Sequence, residues 1–145
     1  MSNRKSQYVC LIIATIFFAL ASSSAALAAS SAYAFDMSKL AVDGSENGKF
    51  HTLKSGKIYI KGSMYQAEQE SLGWTERVSY ELRRKSWLSY KSFGTISRNT
   101  ISGGPNHAVT VSGSYTGDIN SSSYYLYVYK PSKGIRVVGS GTLSN

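Results

Sequence analysis

Residues 124–130 read Tyr-Tyr-Leu-Tyr-Val-Tyr-Lys. All but Leu126 and Lys130 are aromatic or β-branched, the side chains that fit a pleated, half-buried surface. In a strand, successive side chains point to opposite faces. Tyr124, Leu126 and Val128 therefore share one face, and Tyr125, Tyr127 and Tyr129 share the other. Pro131-Ser132-Lys133-Gly134 follows with turn chemistry, since proline fixes φ and glycine accepts a positive one. Ile135, Val137 and Leu143 then mark a last strand.

The same two-residue period extends upstream. His107, Val109, Val111 and Tyr115 alternate with Ala108, Thr110, Ser112 and Ser114, and Gly117–Ser123 reads as a polar connection, so the last three strands read as a meander. Ser102-Gly103-Gly104-Pro105-Asn106 is the clearest loop. Trp87–Ser97 predicts a strand kinked or bulged near Gly94. In Trp74–Lys85, Trp74, Val78, Tyr80 and Leu82 oppose Arg77, Ser79, Glu81 and Arg83. In Lys57–Gln66, Ile58, Ile60 and Met64 oppose Lys57, Lys61 and Ser63. A helix over Ala67–Leu82 is the alternative, but Val78, Tyr80 and Leu82 lie on no single helical stripe.

Strands separated by turn signals predict an all-β fold, a small antiparallel β-sandwich or barrel of about six to seven strands over residues 55–145. The expected core is Ile58, Ile60, Val78, Leu82, Val109, Val111, Leu126, Val128 and Val137. Residues 35–54 show no sustained period and predict an irregular N-terminal arm, with a short helical turn at Met37–Val42 and turns at Asp43-Gly44 and Asn47-Gly48.

Residues 1–34 have the layout of a secretory signal. Arg4 and Lys5 precede an apolar run from Tyr8 to Ala21, and an Ala/Ser tract ends in Ala32-Tyr33-Ala34. The expected cleavage is after Ala34, with Ala28 as the fallback, and the product is secreted, either extracellular or cell-wall associated. Retention of the run as a membrane anchor is the competing reading. Serines interrupt it short of the roughly 20 residues that span a bilayer. Cleavage leaves 111 residues, enough for one domain. Cys10 is the only cysteine and sits in the leader, so the mature chain is expected to be cysteine-free, without disulfides, thiolate metal sites or a cysteine nucleophile. Export without disulfides fits a bacterial route.

The chain has sixteen basic and eight acidic residues. Only Arg4 and Lys5 of these precede Phe35, which leaves the mature part at +6. Arg77, Arg83, Arg84, Lys85, Lys91 and Arg98 crowd into 22 residues that contain one acid, Glu81. Arg83, Arg84, Lys85, Lys91 and Arg98 are the candidate polyanion-binding residues. The partner would be an anionic cell-surface polymer or carbohydrate, with peripheral contact to an anionic membrane as a further possibility. The plainer reading is a solvated charged face. Nothing in the chain specifies nucleic-acid recognition or an oligomeric state.

Signals for chemistry are sparse. Asp43-Gly44-Ser45-Glu46-Asn47-Gly48 resembles the first half of a calcium loop, but Lys54 stands where a bidentate glutamate is needed. His51 and His107 are the only histidines, with no metal-ligand spacing. His107, Glu76 or Glu81, and Arg83 or Arg98 are the residue types of a small basic nuclease, without a motif to join them. No metal or other cofactor is expected. The better hint is the Tyr125–Tyr127–Tyr129 row. Outside, it makes an aromatic surface for sugar rings, a membrane interface or a partner. Inside, it covers the second face of a central strand. Trp74 and Trp87 read as core or edge anchors. Together these features predict an exported, non-catalytic binding protein of the bacterial envelope. A cationic antibacterial or membrane-active protein is the alternative, and a small secreted nuclease-like toxin the third.

Overall fold

The computed structural model of the protein describes residues 29–67 and 74–145. Among the described residues the alternation becomes nine strands: β1 (Ser30–Met37), β2 (Ala41–Asp43), β3 (His51–Leu53), β4 (Gly56–Gln66), β5 (Thr75–Lys85), β6 (Tyr90–Ile101), β7 (Val109–Gly117), β8 (Ser121–Tyr129) and β9 (Val137–Ser144). They form two sheets. One has the order β1-β9-β4-β7, the other β2-β8-β5-β6, with β3 also pairing β8. Every pairing is antiparallel. The fold is all-β, as the alternation requires, but it has more strands than the six to seven expected and is an open sandwich, not a closed barrel. The last three strands are not a meander. β7 and β9 lie in one sheet and β8 in the other, because a strand with one apolar face can cover the core from either side.

Eight of the nine expected core residues are buried, and Val109 is half-buried. Tyr80 lies at the centre. The rings of Tyr33 and Phe35 meet it edge-on at 6.2 and 5.8 Å, the favourable aromatic geometry. Its hydroxyl donates to Met64 Sδ at 3.1 Å, and its carbonyl accepts from the Tyr115 hydroxyl at 2.9 Å. Tyr33 fits because Gly62 and Gly141 face each other across β4 and β9. A Cβ on Gly62 would lie 2.5 Å from the Tyr33 oxygen. That hydroxyl is buried with no hydrogen-bond partner among the described residues, and burial pushes it up to about 12.

The N-terminal expectations need correction. β1 runs across the boundary at Ala34, pairing with β9 from Ser30↔Ser144 to Met37↔Val137. Tyr33, Phe35 and Met37 are buried. The small residues of Ala32-Tyr33-Ala34 suit a peptidase, but they also flank every-second-residue apolar positions. That strand period was hidden in the Ala/Ser tract. Residues 35–54 hold the rest of β1, then β2 and β3, where an irregular arm was expected, and no helical turn forms at Met37–Val42. These strands are short, and their register comes from β8. The cysteine-free expectation is corrected by the chain itself, which carries Cys10; that residue and the apolar run lie outside the described residues.

Candidate ligand-binding face

The face of β5 and β8 turned away from the core is set by register. Ser79 pairs with Tyr129, Glu81 with Tyr127 and Arg83 with Tyr125. On the other flank β6 places Ser97 beside Ser79, Thr95 beside Glu81, Ser92 beside Arg83 and Tyr90 beside Lys85. Between Glu81 and Arg83, two steps on β5 match three on β6. This is a β-bulge, and Gly94 supplies it with a φ of +107°, a conformation L side chains rarely adopt. The bulge reverses which side chains face out. Phe93 turns inward against Tyr124, with centroids 5.3 Å apart, and Tyr90 turns outward.

Tyr90 thereby reaches Arg83. The Arg83 guanidinium carbon sits 4.0 Å from the Tyr90 ring centroid and 3.8 Å from that of Tyr127. Tyr127 in turn lies 5.5 Å from Tyr129 at 37°. The result is a row, Tyr90–Arg83–Tyr127–Tyr129, crossing β6, β5 and β8. Arg83 also donates to Glu81 at 2.7 Å, and each side chain of this pair is 12% exposed. Burial pushes the Glu81 carboxyl up. Hydrogen bonds from Arg83 and Ser92 and the Arg83 charge outweigh it and hold the group below its usual range. The arginine is thus fixed by two rings and a carboxylate, and the rings are fixed by the arginine.

The predicted residues are only partly brought together. Tyr127 and Tyr129 are half-buried on this face. Tyr125 shares the face but is 3% exposed beneath Phe50, whose ring meets it edge-on at 6.1 Å. Arg83 and Lys85 point outward together. Arg84 and Lys91 lie on the opposite side, both bonded to Asp118, at 3.0 and 2.9 Å. Arg98 donates to the carbonyls of Ser97 and Ser112. The five cations therefore do not make one patch. Sequence reasoning missed Tyr90, although the bulge at Gly94 was legible. It also misplaced the tryptophans, since Trp74 is 63% and Trp87 94% exposed.

The other candidates are already engaged. Asp43 Oδ1 accepts from the Ser45 amide and hydroxyl at 2.8 and 2.7 Å, which closes a turn. Glu76 is buried and accepts from the Ser132 amide. No described contact joins His107 to either glutamate. A cleft of about 850 Å³ opens between the sheets, lined by Tyr33, Phe35, Asp36, Lys39, Asp43 and His51 among others. Two of its ionisable groups are paired: Asp36 binds Arg136, and His51 Nδ1 lies 2.8 Å from Ser31 Oγ.

Fold and face together define an open two-sheet β-sandwich that carries an aromatic row on the outer side of its five-stranded sheet. No protein-family model matches the chain, and comparison with curated proteins finds no match. Similar solved structures include two carbohydrate-binding modules. One is the CBM22-1 xylan-binding domain from Paenibacillus barcinonensis Xyn10C, 11% identical, with a TM-score of 0.46 over 72% of this chain. The chain spans 62% of that domain's length. The other is the C-terminal family 22 carbohydrate binding module of Clostridium thermocellum Xyn10B, 10% identical, with a TM-score of 0.42 over 85% of this chain and 88% of that one.

Proposed function

We propose that this is an exported, non-catalytic binding protein whose ligand is a carbohydrate polymer held on the outer face of the five-stranded sheet. The observation that carries the reading is the Tyr90–Arg83–Tyr127–Tyr129 row. Sugar rings present C–H faces that pack on aromatic rings, and rings already held in place lose little conformational freedom on binding. Ser92, Ser97 and Thr95 border the row with hydroxyls for the sugar's own. Arg83 serves as a positioning residue, its charge taken up by Glu81. Lys85 is the cation available to an acidic sugar. Export follows from the leader, with cleavage after Ala28, because β1 is needed from Ser30 onward.

The test is affinity electrophoresis through gels containing soluble neutral or acidic polysaccharides. Tyr127→Ala and Tyr90→Ala should each weaken retention at least tenfold, roughly 1.4 kcal/mol. Trp74→Ala should not, since it lies just before β5, five residues or about 17 Å from Ser79, the partner of the nearest row member Tyr129. An acidic ligand, unlike a neutral one, should also be released by salt. Retention that survives both tyrosine substitutions in folded protein would overturn the reading.

A further inference from the structure

We propose that the tip of the β5–β6 hairpin is a membrane anchor that inserts Trp87 and Leu88 into the headgroup region of an anionic lipid bilayer. β5 and β6 are the two longest paired strands of their sheet, and they close at Lys85↔Tyr90. Beyond that pair the chain turns through Ser86-Trp87-Leu88-Ser89, with the Ser86 amide donating to the Ser89 carbonyl at 2.9 Å. Trp87 is 94% and Leu88 89% exposed. Two adjacent large apolar side chains thus stand in water at the end of a hydrogen-bonded arm. Neither has any role in the core.

The surrounding charge selects the occupant. Lys85 and Lys91 flank the turn, with Arg84 just behind, and no acidic residue occurs between Glu81 and Asp118. Asp118 is shared by Arg84 and Lys91, so the tip keeps a net positive charge. Tyr90, half exposed, sits one step below. A tryptophan and a leucine ringed by lysines and a tyrosine match the layered polarity of a bilayer surface. Apolar groups go to the acyl boundary, aromatic edges and ammonium groups to the headgroups. A protein partner fits less well. The tip is convex and offers two side chains, well short of the roughly 1,000 Å² a stable interface needs.

The chain has two tryptophans, so each can report alone. In Trp74→Phe, Trp87 is the sole tryptophan, and in Trp87→Phe, Trp74 is. Both positions are exposed, so both variants should fold. The probe is vesicles of phosphatidylcholine alone, or of phosphatidylcholine mixed about equally with phosphatidylglycerol, some bearing brominated acyl chains. Trp87 emission should shift to the blue and be quenched by brominated lipid, on the anionic vesicles only. Trp74 emission should be unchanged. Lys85→Glu combined with Lys91→Glu should abolish the Trp87 response. If the protein sediments with vesicles while Trp87 emission stays unchanged, binding comes from elsewhere and the proposal fails. It fails equally if Trp87 responds to polysaccharide and not to vesicles, which would assign the tip to the carbohydrate face. Carbohydrate retention that survives Tyr127→Ala and Tyr90→Ala, with the Trp87 lipid response intact, would refute the binding face and leave the anchor standing.

Discussion

Replacing Arg83 by Met tests whether the row is held together by its central cation. The side chain is 12% exposed, with a ring face about 4 Å away on each side. A cation–π contact contributes about 0.5–1 kcal/mol when exposed and about 2 when desolvated. This site lies between those limits, so the two contacts together account for about 2 kcal/mol. Removing the cation also leaves Glu81 mostly covered without its main donor, at about 1.5–3 kcal/mol for a hydrogen bond to a charged group. Met fills much of the space, so the expected net loss is about 3 kcal/mol. For a domain of this size that corresponds to a fall in Tm of roughly 10–15 °C. Urea melts of wild type, Arg83→Met, Glu81→Gln and the double variant give the coupling directly. About 1–2 kcal/mol of coupling is expected.

The pH dependence has a definite sign. In the wild type, Glu81 is held below its ordinary 4.5. Its contribution to stability is therefore present above that pH and is lost as pH falls through the folded value. Without Arg83 the main lowering cause is gone and burial remains, so this loss on acidification should shrink. A cost below about 1 kcal/mol, or no coupling between the two sites, would refute the account of Arg83 as the element that orders the row.

Other outcomes follow from the fold. A chain begun at Phe35 should be less stable than one begun at Ala29 by at least about 3 kcal/mol, because it lacks Tyr33 and most of β1; N-terminal sequencing of the exported product should accordingly find cleavage after Ala28 and not after Ala34. Gly94→Val should cost about 1–3 kcal/mol, since a β-branched residue is strained at a φ of +107°, and weaken polysaccharide retention in parallel, because the bulge aims Tyr90. Burial holds the buried His51 below its ordinary 6.5, so the unfolded chain binds the extra proton and stability should be full above that value and fall as pH drops below it; a Tm in His51→Gln with the same pH dependence as wild type between about pH 7.5 and 5.5 would assign the effect to other groups.

Period-two alternation was enough to place Leu126 and Val128 in the core and to put Tyr125, Tyr127 and Tyr129 on the opposite face, because strand geometry ties parity to side. The bulge at Gly94 and the turn at residues 131–134 were legible for the same local reason, a backbone conformation few residues accept. Which sheet a strand joins was not legible, since one apolar face packs equally well from either side. β7, β8 and β9 consequently read as a meander and are not one. β1 was hidden because small residues serve both a peptidase and a strand. A run of basic residues specified charge but not pairing. Only the register of β8 and the parity reversal in β6 bring Tyr127 and Tyr90 onto Arg83, and only Asp118, 27 residues beyond Lys91 in sequence, ties Arg84 and Lys91 to the other side. Exposure of Trp87 is likewise a tertiary outcome. Its hydrophobicity argued for a core or edge anchor, and the hairpin carries it beyond the reach of the described neighbours.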